Sequence, residues 1–360
     1  MSVKPNRPAP LLPPGTYVEE WLEDQEINQQ ELASRLEVSP KHLSQVINGH
    51  VPISPEMAAK LEAVTGYPVE FWLEHQARYT ARLTELKITA DDIACVKALL
   101  PGGCITRLRE AGIVTSSWRN AEKLVREIFA QAQVAGTEAL RGLLQGNGAV
   151  AYRQSTAYEI RSGEQWAWLE IVKAKAKEAP DVAVLDKHRL QSLIPSLRAA
   201  SQNDPSTYVQ TVGELLQSAG VIFIAEPDIS GARISGASFD IEGTPVIAVT
   251  DKQKREDIFW FTLFHEIAHV LNDDYLLGSM DLDSEVANRP LIEVEADKWA
   301  TNALLSEEHF ESFQGPYSVQ RVRAFAEAHE ISPAIVAGRL KHHKKVDQAW
   351  GRVLFRRFAL

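Results

Sequence analysis

The strongest constraint on how this chain folds is a five-residue run, His265-Glu266-Ile267-Ala268-His269. Imidazoles four positions apart face the same way on a helix, where residues i and i+4 stack on one side. The surroundings agree: Ile258, Phe261, Ile267, Ala268 and Leu271 supply apolar positions, and no Gly or Pro interrupts Arg255 to Leu277. A helix is therefore predicted, and on it His265 and His269 can hold one ion with Glu266 beside it.

A third ligand is sought in the segment Leu291 to Leu305, which reads as a second helix with a core stripe of Ile292, Ala296, Trp299 and Ala303. Glu295 falls on that stripe, whereas Glu293 and Asp297 point elsewhere. A carboxylate on a buried face is costly unless it is paired or coordinates a metal, so Glu295, 26 residues after His269, is read as the third ligand. Two imidazoles and one carboxylate leave a position of tetrahedral Zn²⁺ open to water, as in catalytic zinc sites. The ion would acidify that water and polarise a peptide carbonyl, while Glu266 acts as general base. The competing reading makes both histidines ordinary surface or core residues and pairs Glu295 with an arginine. Asp273-Asp274 could extend the metal site and His342-His343 could form a second one, but both pairs read more readily as solvated side chains beyond helix ends.

A chain of 360 residues exceeds what one core organises well, so several domains are expected. The balance of 45% hydrophobic and 24% charged residues is that of a globular protein, and no apolar run nears the ~20 residues of a membrane span. No secretory signal opens the sequence, and Cys95 and Cys104 are too few for a disulfide framework, so a cytoplasmic location is expected. The net charge of -10 argues against broad affinity for nucleic acid and confines any DNA contact to a local surface.

Along the chain the texture changes in steps. Residues 1–13 are a Pro-rich leader expected to be flexible, and residues 14–83 form an all-α domain. Residues 84–203 read as a helical connector able to pack on either neighbour, with a loop marked by Gly142 to Gly148 and no catalytic motif. From residue 204 to 345 a helix over Tyr208 to Ser218, strands at Val221-Ile-Phe-Ile224, Arg233 to Asp240 and Val246 to Val249, and further helices predict an α+β domain. Residues 346–360 read as a C-terminal tail. The fold class is thus multi-domain and mainly α.

Within the first domain, Asn28 to Glu37, a turn at Val38-Ser39-Pro40, and Lys41 to Asn48 followed by Gly49 have the order of a helix-turn-helix, with Ser39 able to cap the second helix. Together with Ile53 to Leu61 and Phe71-Trp-Leu, this segment resembles the Xre/Cro-type helix-turn-helix family, particularly antitoxins of the HigA kind, over Pro14 to Tyr79. The resemblance implies DNA reading from the second helix. Ser39, Lys41, His42, Ser44, Gln45 and Asn48 offer donors to bases or phosphates, and Gln29 could orient the first helix on a phosphate. Residues 1–83 carry seven basic side chains against eleven acidic ones, so a homodimer on two half-sites is expected. The competing reading is a helical protein-docking module.

Phe261-Thr-Leu-Phe-His-Glu-Ile-Ala-His-Val-Leu271 followed by Glu295-Ala-Asp-Lys-Trp-Ala300 resembles the ImmA/IrrE metallopeptidase family, over Thr207 to His343. This resemblance implies a zincin-like domain in which His265, His269 and Glu295 hold zinc, Glu266 is the catalytic base, and the hairpin ending at Val249 flanks the cleft. It implies a DNA-binding regulator that cleaves a transcription factor, repressor or toxin-antitoxin partner in a stress, phage or mobile-element response. The alternative is a regulator or antitoxin whose peptidase-like domain senses or binds without cutting.

Overall fold

The computed structural model describes residues 12–83, 87–145, 162–276, 279–282 and 291–360. They divide into an N-terminal unit, Met1–Lys87, and a larger unit, Ile88–Leu360. Residues 1–11 of the predicted leader and residues 146–148 of the predicted loop lie outside the described residues, while Gly142 sits inside a helix.

Local capping chemistry sets the helix ends of the N-terminal unit. Helices α1 (Thr16–Asp24), α2 (Gln29–Arg35), α3 (Pro40–Ile47), α4 (Pro55–Thr65) and α5 (Val69–Leu83) follow one another. Asn28 Oδ1 accepts from the Glu31 amide at 2.9 Å, Ser39 Oγ from the His42 amide at 3.1 Å, and Ser54 Oγ from the Met57 amide at 3.2 Å. Each satisfies a donor that a helix start leaves without an intrahelical partner. Pro40 and Pro55 occupy first helical positions, where a missing N–H does no harm. Val18, Leu32, Leu36, Leu43, Val46, Ile47, Leu61 and Trp72 form one buried cluster.

The larger unit is built around a four-stranded sheet of β1 (Ile222–Ala225), β2 (Ile234–Ile241), β3 (Thr244–Val249) and β4 (Ser279–Leu282), in the order β1-β3-β2-β4. β1 runs parallel to β3, and β2 is antiparallel to both β3 and β4. Helices α6 (Ala90–Leu99), α7 (Gly102–Glu110), α8 (Ala121–Gln131), α9 (Thr137–Gln145), α10 (Gly163–Glu178), α11 (Lys187–Ser192), α12 (Ile194–Ala200) and α13 (Tyr208–Gln217) precede the sheet. α14 (Glu256–Leu271) follows β3, and α15 (Leu291–Leu304), α16 (Glu307–Ser312), α17 (Val319–Ala328) and α18 (Pro333–His342) come after β4. Among the described residues, no helix is long and apolar enough to cross a membrane.

Strand β3 shows how the unit is layered. Its side chains alternate between faces, as strand geometry requires. Val246 and Ala248 join a cluster with Leu108, Leu124, Trp168 and Val172, whereas Ile247 and Val249 join Leu197, Val212, Trp260, Leu263 and Leu340. The sheet is therefore covered on both faces, one of them by the region read from sequence as a connector. Within it, α6 to α10 close one side of the sheet and α11 and α12 pack into the core on the other, so residues 88–203 share a compact unit with the rest. Gln165 Nε2 donates to the Ala232 carbonyl at 3.0 Å, and Arg107 and Lys175 both pair with the buried Glu226 at the end of β1.

The segment read as a C-terminal tail is packed as well. Leu354 and Phe358 are buried in the core, and Arg356 reaches the fully buried Glu256 at the start of α14, with Nε at 3.0 Å and Nη2 at 2.6 Å from Oε2. The same guanidinium donates to the carbonyls of Ser201 and Asn203, each at 2.6 Å. Residues 346–360 thus fasten α12, α14 and the chain end together.

Candidate metal centre and DNA-facing helix

Helix α14 is apolar nearly all round and buried on nearly every side, as a helix sandwiched between a sheet and other helices must be. Phe259, Trp260, Leu263, Phe264 and Ile267 pack it into the core, and that packing carries His265, Glu266 and His269 inward to full burial. Close approach to the sheet depends on Gly236 of β2: a Cβ there would lie 2.7 Å from Glu266 Oε1 and 2.6 Å from Thr262 Cγ2. Only glycine leaves room for the Glu266 carboxylate at this point.

His265 and His269 meet as their spacing predicts, with Nε2 atoms 3.0 Å apart. The carboxylate that joins them is Glu293, whose oxygens lie 3.1 Å from His265 Nε2 and 3.5 Å from His269 Nε2. His265, His269 and Glu293 offer three ligand atoms within 4.8 Å of one another. Glu295 is exposed and not among them, which corrects the third ligand expected from sequence. The cause is a rotation of the inward face of α15. Ala296, Ala300 and Leu304 are buried and Glu293 and Asp297 line the same side, while Ile292 and Val294 are 39% and 48% exposed.

Two further carboxylates complete the arrangement. Asp297, one helical turn after Glu293, lies 2.9 Å from His265 Nδ1, and Asp274 lies 3.1 Å from His269 Nδ1. With each Nδ1 proton shared with its carboxylate, a neutral imidazole turns an Nε2 lone pair toward Glu293, and a protonated one donates to Glu293 from Nε2. Two lone pairs and a carboxylate crowded together repel one another unless a cation or protons lie between them. This donor set fits Zn²⁺, which takes imidazole nitrogen and carboxylate oxygen with one position left open. Electrostatics follow the same contacts. Burial works to lower the His269 pKa, but the hydrogen bond to Glu293 and the charge of Glu266 raise it above its ordinary value. Burial works to raise Glu293, and hydrogen bonds from both histidines hold it well below the usual carboxylate range.

Sequence reasoning missed Glu293, Asp297 and Asp274. A usable signal was present: Glu293 and Asp297 are spaced i, i+4, matching the spacing of the two histidines they serve.

In the N-terminal unit, Lys41, Ser44, Gln45 and Asn48 share one face of α3, with Lys41 and Asn48 exposed and Ser44 and Gln45 partly so. Asn48 Nδ2 donates to the Ser44 carbonyl at 2.7 Å, which ties down the end of that face. His42 is partly exposed, Ser39 is engaged as the N-cap, and Gln29 opens α2 on the surface.

Comparison with known proteins agrees with both halves. Residues 18–72 match the helix-turn-helix family and residues 220–341 match the IrrE N-terminal-like domain, a peptidase family. The chain is 32% identical over 78 residues to the uncharacterized HTH-type transcriptional regulator YddM of Escherichia coli K12, covering 22% of this chain and 81% of that protein. It is 43% identical over 67 residues to virulence-associated protein A' of Dichelobacter nodosus, covering 18% of this chain and 58% of that protein. The chain therefore belongs to the helix-turn-helix regulators, with a DNA-binding domain of that type at its N-terminus and an IrrE N-terminal-like, peptidase-like domain toward its C-terminus.

Proposed function

We propose that this regulator carries a zinc-dependent endopeptidase that cleaves a transcription factor or repressor in a stress, phage or toxin-antitoxin response. The observation that carries the reading is the convergence of His265 Nε2, His269 Nε2 and Glu293, with both Nδ1 atoms committed to carboxylates and Glu266 on the same helix. When bound, zinc supplies Lewis acidity toward a peptide carbonyl and toward water. Glu266, packed against Gly236, takes a proton from the attacking water and delivers it to the leaving amine. Asp297 and Asp274 hold the two imidazoles in one tautomer while this happens.

On the DNA side, Lys41, Ser44, Gln45 and Asn48 read bases or phosphates in the major groove, with Gln29, Ser39 and His42 at the margin. The excess of acidic residues over this domain favours a homodimer that gathers contacts from two half-sites. The full burial of His265, Glu266 and His269 favours a second reading, in which the domain senses or binds without cutting.

Two measurements separate these readings. Metal analysis of the purified chain beside His269→Ala is expected to find zinc in the wild type alone. Digestion of a proteome-derived peptide library is expected to be lost in Glu266→Gln with zinc retained; equal cleavage patterns from wild type and variant would reject Glu266 as the base. For DNA, duplexes selected from a random pool by the wild type should bind Lys41→Ala/Gln45→Ala more weakly.

A further inference from the structure

The turn that orients His269 is held from outside the stretch that matches the IrrE N-terminal-like domain. Lys187, the first residue of α11, donates from Nζ to the Leu271 carbonyl at 2.9 Å and pairs with Asp273 Oδ1 at 2.6 Å. Leu271 is the last residue of α14, where carbonyls lack intrahelical partners and a cation complements the helix dipole. Asp273 adopts φ 66, a left-handed conformation unusual for a side-chain-bearing residue, so the turn gains from external support. The next residue, Asp274, is the one that meets His269 Nδ1.

Lys187 is itself firmly placed. The Asp186 amide donates to the Ala219 carbonyl at 2.9 Å, and Leu190 on the same helix is fully buried. Gly220, at φ 80, lies so close to the preceding strand of chain that a Cβ would sit 2.5 Å from the Ala183 carbonyl oxygen. A series of contacts thus runs from Ala219 through Asp186 and Lys187 to the turn at 272–274 and on to the imidazole.

We infer that Lys187 is a positioning residue for the metal centre: it fixes the turn after α14 so that Asp274 aims His269 Nε2 at His265 and Glu293. The inference rests on the metal reading above. Partners one shell out from a ligand typically change metal affinity by about 10–100-fold, and Lys187 acts one contact further, so an effect of about tenfold is expected.

The test uses the full chain and Zn²⁺ affinity measured by competition with a chromophoric chelator, together with the visible absorption spectrum of the Co²⁺-substituted protein. Lys187→Met is expected to weaken Zn²⁺ binding about tenfold and to shift the Co²⁺ bands, as Asp274→Asn does more strongly. Lys187→Arg should restore affinity to within about twofold, since it keeps the charge and a donor. Asp273→Asn removes the ion pair while leaving the contact to the Leu271 carbonyl, and should weaken binding about threefold; it keeps the inference testable if Lys187→Met fails to fold. Wild-type affinity and an unchanged Co²⁺ spectrum in Lys187→Met, or in Asp274→Asn, would overturn the inference while leaving the metal reading intact. A wild-type chain that binds neither ion would overturn both.

Discussion

Exchanging the two glutamates of α15 one at a time tests the geometry of the centre directly. Glu293 is the carboxylate within 3.1 and 3.5 Å of the two Nε2 atoms, and its side chain is only 13% exposed. Outer partners of a metal ligand already account for about 10–100-fold in affinity, so deleting a donor is expected to exceed that range. Glu293→Ala should therefore weaken Zn²⁺ binding by at least about 100-fold, or about 2.7 kcal/mol. Glu295 is exposed and stands outside the donor cluster, so Glu295→Ala should stay within the ~0.5 kcal/mol typical of surface changes, less than about threefold in affinity. Chelator competition on both variants, with apo-state unfolding monitored in parallel, makes the comparison. Zinc retained by Glu293→Ala and lost by Glu295→Ala would refute the observed phase of α15 and restore the assignment expected from sequence alone.

Other parts of the larger unit make their own predictions. Arg356→Met leaves the buried Glu256 carboxylate without its guanidinium; because the Arg356 side chain is 37% exposed, a loss of about 3 kcal/mol is expected, seen as a fall of roughly 6–12 °C in the melting temperature of this unit. A change below about 1 kcal/mol would mean that the C-terminal segment is fastened elsewhere. Burial works to raise the Glu127 pKa, but hydrogen bonds from the amides and hydroxyls of Ser116 and Thr115 hold it down at about 2. Its folded pKa lies below the unfolded one, so it stabilises fully above about pH 5 and this contribution fades as pH falls toward 2; Glu127→Gln should flatten acid unfolding over that window, and an unaltered acid profile would count against it. Gly236→Ala forces a methyl against Glu266 and Thr262, with overpacking of about 1–3 kcal/mol expected; peptide cleavage should drop while zinc content holds, and full cleavage would show that Glu266 has room to spare.

How far the sequence could be read depended on whether the signal was local. The capping of α3, the helical register of His265 and His269 and the β2–β3 hairpin all follow from neighbours a few residues apart, and the structure places them as their spacing predicts. The role of residues 88–203 was not local: nothing in Trp166 or Trp168 reveals which face of which strand they cover, because β1 lies more than 50 residues further along the chain. Arg356 was opaque for the same reason, since its partner Glu256 stands 100 residues earlier.

The misplaced third ligand has a more instructive cause. Ranking the faces of α15 by hydrophobicity selects Ile292, Ala296, Trp299 and Ala303, because large apolar residues are usually buried. Next to this candidate metal centre that rule inverts. The face that must turn inward carries Glu293 and Asp297 with small Ala296 and Ala300 between and below them, while Leu291 and Val294 remain outside. A helix presenting ligands is better phased from its partner: when one helix offers two imidazoles at i and i+4, the opposing helix needs a carboxylate for the shared Nε2 side and another for an Nδ1, and two carboxylates at i and i+4 meet that need. Glu293 and Asp297 satisfy the condition and Glu295 does not, since the residues four positions to either side of it, Leu291 and Trp299, carry no carboxylate. The polar spacing of α15, read against the polar spacing of α14, therefore contains the correct phase that its apolar spacing conceals.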